Sequence, residues 1–444
     1  MKKQLLAFLT AASLCLAPVT ACFVVPQGVI VSQAASLKLK TVTLQIHIGE
    51  DGTVKLKNKA GEKVTWSVPD EYSGIIRIKK SNKKKAVITG LTPGTAKVTA
   101  QVKGSVFICD VTVTGSSSGD SSESGEADDP TSSYTGITTA PAGATLVTSY
   151  DALPDDGEDD TEGFNQAIWD AAARSGVVYV PAGQYQISIN GGVGIGMRSG
   201  VHLMMHDKAV LNVTGTDQDW YNVIYIANAE NVSITGGRIS GERSVHKGSD
   251  GEDGMGIGIL DSTNVTITGM TISDNWGDGI YLGTTSALQG GCKNVTIDSC
   301  KISRNRRNNI SIIHASDVTI KNCSISDAYG KQPQGGIIIE PNLENGKLPV
   351  CKNITIQNTT ISCKQEATLD GNFYCFMTIH YPGDSSVKTC DNVTITGCKF
   401  NGSCFNGSGV NMSIKNSKIS GIFYDARNAR ISGDTTIGKY EKVE

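Results

Sequence analysis

The sequence predicts an all-β protein whose C-terminal two-thirds is a parallel β-helix. A four-residue phrase of Asn or Asp, an aliphatic residue, Ser or Thr, and Ile begins at Asn231, Asn264, Asn294, Asp317, Asn353, Asn392 and Asn411. The phrase is constant while the distance between its copies varies, which is typical of stacked coils with loops of different length. Alternation within the phrase predicts that Val and Ile point inward and Thr outward. A content of 50 Gly and only 12 Pro suits a narrow coil with many tight corners.

At 444 residues the chain exceeds one ordinary core, so two or more domains are expected. Lys2 and Lys3 precede an apolar run, and residues 1–35 are predicted to be a secretory signal peptide with cleavage after Ala34. The alternative is a lipid anchor at Cys22, because the residues before it resemble a lipobox. Either processing predicts an extracellular or cell-surface protein.

Residues 37–114 show short alternating strands with turn signals and no helical periodicity, which predicts a small β-sandwich. The strings 64–67, 86–100 and 109–113 resemble bacterial Ig-like modules of the BIG2 type. This segment is strongly basic, with a run of lysines at 79–85. Such a run is usually a solvated face, and the alternative is loose attraction to anionic cell-wall polymers.

Residues 115–136 consist of Gly, Ser and acidic residues, a composition that predicts a flexible linker before a β-helix at 138–444. The segment 161–173 predicts a helix, with Phe164, Ile168, Ala171 and Ala172 on one stripe. An open β-helix exposes an apolar end and an unpaired strand edge. We therefore expect this helix to cap the N-terminal end.

Ten of the 12 cysteines lie beyond the signal region, and two sets recur in register with the repeated phrase. Side chains in register on neighbouring coils stack about 4.8 Å apart, which is within the range for a disulfide. Cys300–Cys323 and Cys351–Cys390 are the candidate pairs. The preferred interpretation is a ladder of free thiols that serves as small apolar filler, with these disulfides as the alternative.

The segments 157–161, 167–168 and 178–185 resemble the opening of the pectate-lyase superfamily, which includes polygalacturonase-like proteins. The resemblance covers about 138–444 and implies a right-handed parallel β-helix. It also implies a secreted protein that acts on a polysaccharide by hydrolysis, β-elimination or epimerisation. Separately, we expect a monomer with no nucleic acid partner. Asp278 matches the first Asp of the family's hydrolase motif, whereas the paired Asp of the next coil falls on Asn308 and Asn309. Asn has no proton to give or take near neutral pH, so the family's standard hydrolase site is altered here.

Polar residues cluster just before and just after the strands that precede each phrase, and stacking would align them along one groove. We expect Asp278, Arg307 and Glu340 to lie in this groove as acid, base or uronate clamp, with Asp253 and His380 as further catalytic candidates. A guanidinium binds a carboxylate in a bidentate way, so a cationic cluster suits a uronic acid. The predicted substrate-binding residues are Arg304, Arg306, Lys331, Asn308, Asn309, His314 and Tyr281.

Asp250 and Asp253 are candidate ligands for a calcium ion if the protein is a lyase, and otherwise no cofactor is expected. Two functions remain open at this point. The preferred hypothesis is a secreted enzyme that cleaves an acidic polysaccharide. The alternative is a non-catalytic glycan-binding or adhesion protein, which the Asn308-Asn309 pair favours.

Overall fold

The computed structural model describes residues 37–443 apart from 42, 48–50, 59–60, 70–71, 93, 104, 115–128, 132–133, 175, 250, 286–289, 343–347, 350, 364–372 and 380–387. The predicted signal peptide, the Cys22 anchor, His380 and Asp250 all lie outside the described residues. The chain divides into two compact units, 1–120 and 121–444.

The first unit consists of two four-stranded sheets that share one apolar core. Its strands are β1 (Leu37–Leu39), β2 (Thr43–His47), β3 (Asp51–Asn58), β4 (Thr65–Ser67), β5 (Ile76–Ser81), β6 (Lys85–Gly90), β7 (Gly94–Val102) and β8 (Ser105–Thr114). The sheet orders are β1-β3-β6-β5 and β2-β8-β7-β4. Alternate residues of β7 are buried, as a half-buried strand requires. The likeness to Ig-like modules remains a resemblance, and Lys83–Lys85 are exposed.

The second unit is a three-sided parallel β-helix, which confirms the predicted fold. A short 3-10 helix (Val147–Tyr150) and the helix α1 (Thr161–Ala173) lie at its N-terminal end. Phe164, Ile168 and Ala171 of α1 are buried in the core, as predicted, whereas Ala172 is exposed. Each coil then contributes one strand to each of three parallel ladders, which we call ladders A, B and C.

Ladder A contains β9 (Thr145–Leu146), β10 (Val177–Val180), β13 (His202–Met205), β16 (Glu230–Thr235), β19 (Thr263–Thr268), β22 (Cys292–Asp298), β25 (Ala315–Lys321), β28 (Cys351–Gln357), β31 (Cys390–Thr396), β34 (Gly409–Val410), β35 (Ser413–Lys415) and β37 (Arg430–Ser432). Ladder B contains β11 (Gly183–Ile187), β14 (Ala209–Val213), β17 (Arg238–Ser240), β20 (Thr271–Ser273), β23 (Lys301–Ser303), β26 (Ser324–Ser326), β29 (Thr360–Ser362), β32 (Lys399–Asn401) and the start of β36 (Lys418–Asp425).

Ladder C contains β12 (Val193–Gly196), β15 (Trp220–Ala227), β18 (Asp253–Leu260), β21 (Ile280–Gly283), β24 (Ile310–Ile312), β27 (Ile337–Ile339), β30 (Phe376–Thr378), β33 (Cys404–Asn406), the end of β36, and β38 (Thr436–Lys442), which also pairs with the start of β36. The turn between ladders B and C varies most in length. Inward Ile, Val and Leu side chains of all three ladders form one continuous core.

The repeated phrase begins with Asn or Asp because its first residue adopts a left-handed backbone conformation. The φ angles there lie between 53° and 57° at Asn231, Asn264, Asn294, Asp317, Asn353, Asn392 and Asn411. Asn and Asp tolerate this region better than other residues that carry a side chain. The Asn side chains also link successive coils: the Nδ2 group of Asn294 donates to the Oδ1 atom of Asn264 at 2.8 Å, and Asn264 donates to Asn231 at 2.9 Å. We call this row of side chains the asparagine spine.

Replacing Asn294 with Ala is expected to lower the free energy of unfolding by about 1–2 kcal/mol, because Ala is strained at positive φ and makes no spine hydrogen bond. Asn294→Gly relieves the backbone strain and is expected to recover most of that loss. The measurement is the midpoint of guanidinium chloride unfolding. Thr296→Ala, two residues along the same strand, is the control, and equal midpoints for the Ala and Gly variants of Asn294 would contradict the backbone explanation.

All ten described cysteines are free thiols, which is the interpretation preferred from the sequence. Cys351 and Cys390 are directly opposite each other on neighbouring strands, and both are buried. The Sγ atom of Cys323 lies 3.1 Å from the carbonyl oxygen of Lys321, as a weak thiol donor to the backbone. A further cysteine pair was not among the candidates: the sulfurs of Cys363 and Cys375 are 3.0 Å apart.

The predicted linker ends against the β-helix. The Nζ atom of Lys301 donates to the Oδ2 atom of Asp129 at 3.0 Å. A Cβ atom on Gly269 would lie 2.2 Å from the ring of Tyr134, so this glycine makes room for the ring. None of the helices in the described part of the chain has the length and apolar character needed to cross a membrane.

Candidate functional site

The outer face of ladder C carries the residues that the sequence put forward. In its three-residue strands the first and third residues point into the core, and the middle one points outward. Tyr281, Ser311 and Ile338 are these middle residues on three successive coils and lie in register. Glu340 follows Ile338 by two positions, so it points to the same outer side. Asp278 and Arg307 lie in the turns that lead into β21 and β24.

These residues form one cluster around the guanidinium of Arg307, which we call the arginine–carboxylate cluster. Its Nη2 atom lies 2.5 Å from the Oε1 atom of Glu340, and its Nη1 atom lies 3.2 Å from the Oδ2 atom of Asp278. The Nε atom is 3.6 Å from the Oε2 atom of Glu252. The register of the coils therefore brings Asp278, Arg307 and Glu340 together, as the sequence predicts.

Asp278 is the buried anchor of the cluster. Its side chain has no exposed surface, and its Oδ1 atom accepts a hydrogen bond from the backbone N–H of Asn308 at 2.8 Å. A Cβ atom on the preceding Gly277 would lie 2.4 Å from the carbonyl oxygen of Glu252, so only glycine allows this close stacking of coils. Burial raises the pKa of Asp278, and Arg307 and the Asn308 amide oppose that rise.

Glu340 lies at the edge of the cluster, with 12% of its side chain exposed. Burial raises the pKa of Glu340 to about 7, although the charge of Arg307 acts in the opposite direction. The carboxylates of Asp278 and Glu252 contribute to the rise because like charges disfavour ionisation. A carboxyl with this pKa exchanges its proton near neutral pH, which is the property that a general acid or base needs.

Arg307 remains charged in spite of its burial. Burial alone would lower the pKa of its guanidinium, but Asp278 and Glu340 more than offset that effect and hold the pKa above its usual value. Asp253, the first residue of β18, is exposed. Partial desolvation and the Glu252 carboxylate raise the pKa of Asp253, with Arg307 acting in the opposite direction. Asp253 is thus within electrostatic reach of the cluster.

The cationic residues that were predicted to act together contact different partners in the structure. Arg304 forms a two-point ion pair with Asp274, at 2.6 and 3.0 Å. Arg306 stacks over the Trp276 ring at 3.7 Å and donates to a backbone carbonyl at 2.8 Å. Lys331 is half-buried, and its backbone N–H donates to the carbonyl of Arg306. Of the three arginines, Arg307 is the one that pairs with Asp278 and Glu340.

Asn308 and Asn309 are fully buried, a placement that differs from the exposed position expected for substrate-binding residues. Asn308 donates to the hydroxyl of Ser311 at 3.0 Å and accepts the N–H of Gly335 at 2.9 Å. Asn309 donates to the carbonyl of Ser326 at 2.9 Å. These amides hold the turns behind the cluster in place.

His314 and Tyr281 are both half-buried on or beside the outer face of ladder C. Burial lowers the pKa of His314, with Asp261 opposing the change. Among the described residues, no group of three or more His, Cys, Asp or Glu side chains is arranged to hold a metal ion. Of the two calcium candidates, Asp250 lies outside the described residues, so calcium stays a prediction and no step below uses a metal.

A second buried polar group was not predicted. Glu242 is fully buried, accepts a hydrogen bond from the hydroxyl of Tyr221, and lies 2.9 Å from the Nδ1 atom of His246. The His246 ring stacks on Trp276 at 3.8 Å. The spacing of Glu242 and His246 was the available sequence signal, but nothing in the sequence places Tyr221 beside them.

Comparison with known proteins agrees with this architecture. Residues 183–340 match the family model described as "Right handed beta helix region". The match agrees with the predicted right-handed parallel β-helix. Two curated relatives come from Bacillus subtilis (strain 168). The SPbeta prophage-derived uncharacterized protein YorA is 32% identical over 58% of this chain and 46% of its own length. The uncharacterized protein YclG is 34% identical over 42% of this chain and 36% of its own length. The chain thus spans less than half the length of either relative.

Solved structures share the fold at low sequence identity. The surface adhesin PfbA of Streptococcus pneumoniae is 15% identical, with a TM-score of 0.45 over 67% of this chain and 89% of that chain. The A-module of the mannuronan C-5 epimerase AlgE4 of Azotobacter vinelandii is also 15% identical, with a TM-score of 0.39 over 67% of this chain and 97% of that one. An adhesin and an epimerase module are therefore both among its structural neighbours.

Proposed function

We propose that the protein is a secreted enzyme that hydrolyses a polysaccharide in a trough on the outer face of ladder C. One observation carries the proposal: the guanidinium of Arg307 bridges two partly exposed carboxyls, Glu340 and Glu252, and the pKa of Glu340 is raised to about 7. Glycoside hydrolysis by the general route needs two carboxyls of unequal pKa on either side of the scissile bond.

In this mechanism Glu340 acts as the general acid. Because burial raises its pKa to about 7, its carboxyl holds a proton at and below neutral pH and donates it to the leaving oxygen of the glycosidic bond. Glu252 acts as the general base that activates water. Its side chain is 44% exposed, so water and substrate reach it. Both carboxyls lie beside the same guanidinium, Glu340 at 2.5 Å and Glu252 at 3.6 Å, so both are in position to act on one bound glycosidic bond.

Asp278 takes the role of a positioning residue. The sequence put it forward as acid or base, but its carboxyl is fully buried and touches Arg307 and the Asn308 amide. It holds the guanidinium between the other two carboxyls. Arg307 in turn is bound by three carboxylates, so it orients the acid and the base rather than clamping a uronate.

The test is incubation of the chain without residues 1–35 with a panel of uronic and neutral polysaccharides. We expect new reducing ends without the absorbance of unsaturated uronates. If the products show the absorbance of unsaturated uronates, the reaction is elimination and not hydrolysis. Absence of both signals with every substrate that the protein binds would refute the enzymatic proposal.

The rate of hydrolysis is expected to fall as the pH rises through about 7. Glu340 works in its protonated form, and the raised pKa means that this form is lost only near neutrality rather than near pH 4.5. The same proton stabilises the fold: the folded state binds it more tightly than the unfolded state, so this contribution is full below pH 4.5 and lost as the pH passes 7. A profile of kcat/KM against pH checks the prediction, and a basic limb that is unchanged in Glu340→Gln would contradict the assignment.

The second candidate is a glycan-binding protein without catalysis. The observation that favours it is that one guanidinium lies within ion-pair distance of three carboxyls, an arrangement that also serves to lock adjoining turns. In that case the exposed lysines 83–85 of the first unit would add attraction to anionic wall polymers. Retention on a polysaccharide gel without cleavage products identifies this function.

A further inference from the structure

A cavity of about 610 Å³ lies at the N-terminal end of the β-helix, where α1 meets the first coils of ladder C. Its lining includes Trp169, Ala172, Met197, Arg198, Tyr225 and Asn228. None of these residues belongs to the arginine–carboxylate cluster. A volume of this size accommodates a small organic ligand, such as one or two sugar units.

Two side chains give the cavity a specific chemistry. Trp169 is 62% exposed, because the opposite face of α1 packs on the core. The guanidinium of Arg198 lies 3.6 Å from the centre of its ring. Arg198 is exposed, and within the described part of the chain no carboxylate pairs with it. An exposed aromatic ring beside an unpaired cation suits a ligand that has both an apolar face and a negative charge.

The register of ladder C aligns this cavity with the proposed active site. The residues Gly196, Tyr225, Gly258, Tyr281, Ser311 and Ile338 occupy one column, one on each of six coils. Arg198 follows the first of them by two positions, and Glu340 follows the last by two. Arg198 and Glu340 therefore lie at equal offsets from the column, on coils that are five apart or about 24 Å along the helix axis.

Between the two sites Gly258, Ser311 and Ile338 of the column are buried, and Tyr225 and Tyr281 flank Gly258. Both tyrosines are half-buried and present part of their rings outward. Aromatic side chains at this spacing provide flat surfaces along the trough. The advance of one sugar unit in an extended chain is comparable to one coil, so about six units would reach from Glu340 to Arg198.

We infer that Trp169 and Arg198 form a distal subsite for a uronic-acid unit of the polysaccharide chain. The exposed surface of Trp169 packs against the apolar face of the sugar ring, and the guanidinium of Arg198 pairs with the uronate carboxylate. This inference rests on the proposed function and gives its substrate class. It also supplies a cation for an acidic substrate that Arg304, Arg306 and Arg307, which are engaged elsewhere, do not supply.

The test measures binding of galacturonate and mannuronate oligomers by calorimetry, using oligomers too short to span five coils and others long enough to do so. We expect Arg198→Ala to weaken binding of the long uronate oligomers roughly tenfold, which corresponds to the loss of one charge-assisted contact. Long oligomers of a neutral sugar are measured as well. Short uronate oligomers and these long neutral oligomers are expected to bind Arg198→Ala as they bind the unchanged protein. Trp169→Ala is expected to weaken binding of the long uronate oligomers and of the long neutral oligomers. Arg238→Ala, an exposed arginine on ladder B, is the matched control.

Cleavage is measured in parallel on the same variants. If Arg198→Ala binds long uronate oligomers as tightly as the unchanged protein, the subsite is refuted, whatever the cleavage assay shows. If binding depends on Arg198 but no oligomer is cleaved, the subsite stands and the hydrolase proposal fails. If the unchanged protein binds no uronate oligomer of either length, the inference is refuted, and cleavage of a neutral polysaccharide alone would then preserve the hydrolase.

Discussion

Replacing Arg307 with Ala is expected to lower the free energy of unfolding of the β-helix by about 3–5 kcal/mol. The substitution leaves Asp278, which is fully buried, without its cationic partner, and it leaves Glu340 close to two other acids. An uncompensated buried charge is among the most costly defects that a single substitution introduces. The shift in the midpoint of guanidinium chloride unfolding, followed by tryptophan fluorescence, measures the effect.

Arg304→Ala is the matched control for this prediction. Arg304 lies three residues earlier in the same turn and pairs with Asp274, but the pair is exposed and is expected to contribute no more than about 1 kcal/mol. Adding Asp278→Asn and Glu340→Gln to the Arg307→Ala variant removes the stranded charges and is expected to restore part of the stability. Equal unfolding midpoints for the Arg307 and Arg304 variants would show that the cluster stabilises the fold no more than an exposed ion pair does.

Glu340→Gln is expected to reduce kcat by about 10²–10⁴-fold, which is the usual contribution of a general acid. The amide retains the shape of the side chain and still contacts the guanidinium, so the fold and the affinity for polysaccharide should change little. Turnover on the polysaccharide that the unchanged protein cleaves is the measurement, with the unfolding midpoint as a check on folding.

Asp274→Asn provides the comparison for Glu340→Gln. It neutralises a carboxylate of a nearby turn that pairs with an arginine but lies outside the cluster. Full activity is expected for Asp274→Asn. If Glu340→Gln is equally active, Glu340 is not the acid and the mechanism is wrong, even if the protein proves to be an enzyme.

Much of the fold is predictable from the sequence because the repeated phrase reflects local physics. Its first residue must tolerate positive φ, and its Val and Ile must fill the core. The same residue types therefore recur at equivalent positions of successive coils. The meeting of Asp278, Arg307 and Glu340 is predictable for a related reason: residues at equal offsets from repeated strands stack.

Other features of the site depend on side-chain direction and on depth, which periodicity does not encode. Arg304, Arg306 and Arg307 are almost adjacent in sequence, yet each contacts a different partner. The burial of Asn308 follows from hydrogen bonds to both neighbouring coils: its backbone N–H donates to Asp278, and its side-chain oxygen accepts the N–H of Gly335. The pairing of Trp169 with Arg198 depends on how α1 sits on the first coils, which no repeat specifies.

The asparagine spine separates the parts of the chain that must stay constant from those that are free to diverge. It runs along ladder A, whereas the arginine–carboxylate cluster draws on the turns between ladders B and C and on the ends of ladder C strands. Residues gained or lost in those turns leave the spine hydrogen bonds unchanged. Changes confined to the loops can therefore alter the ligand specificity of this scaffold while the β-helix still folds.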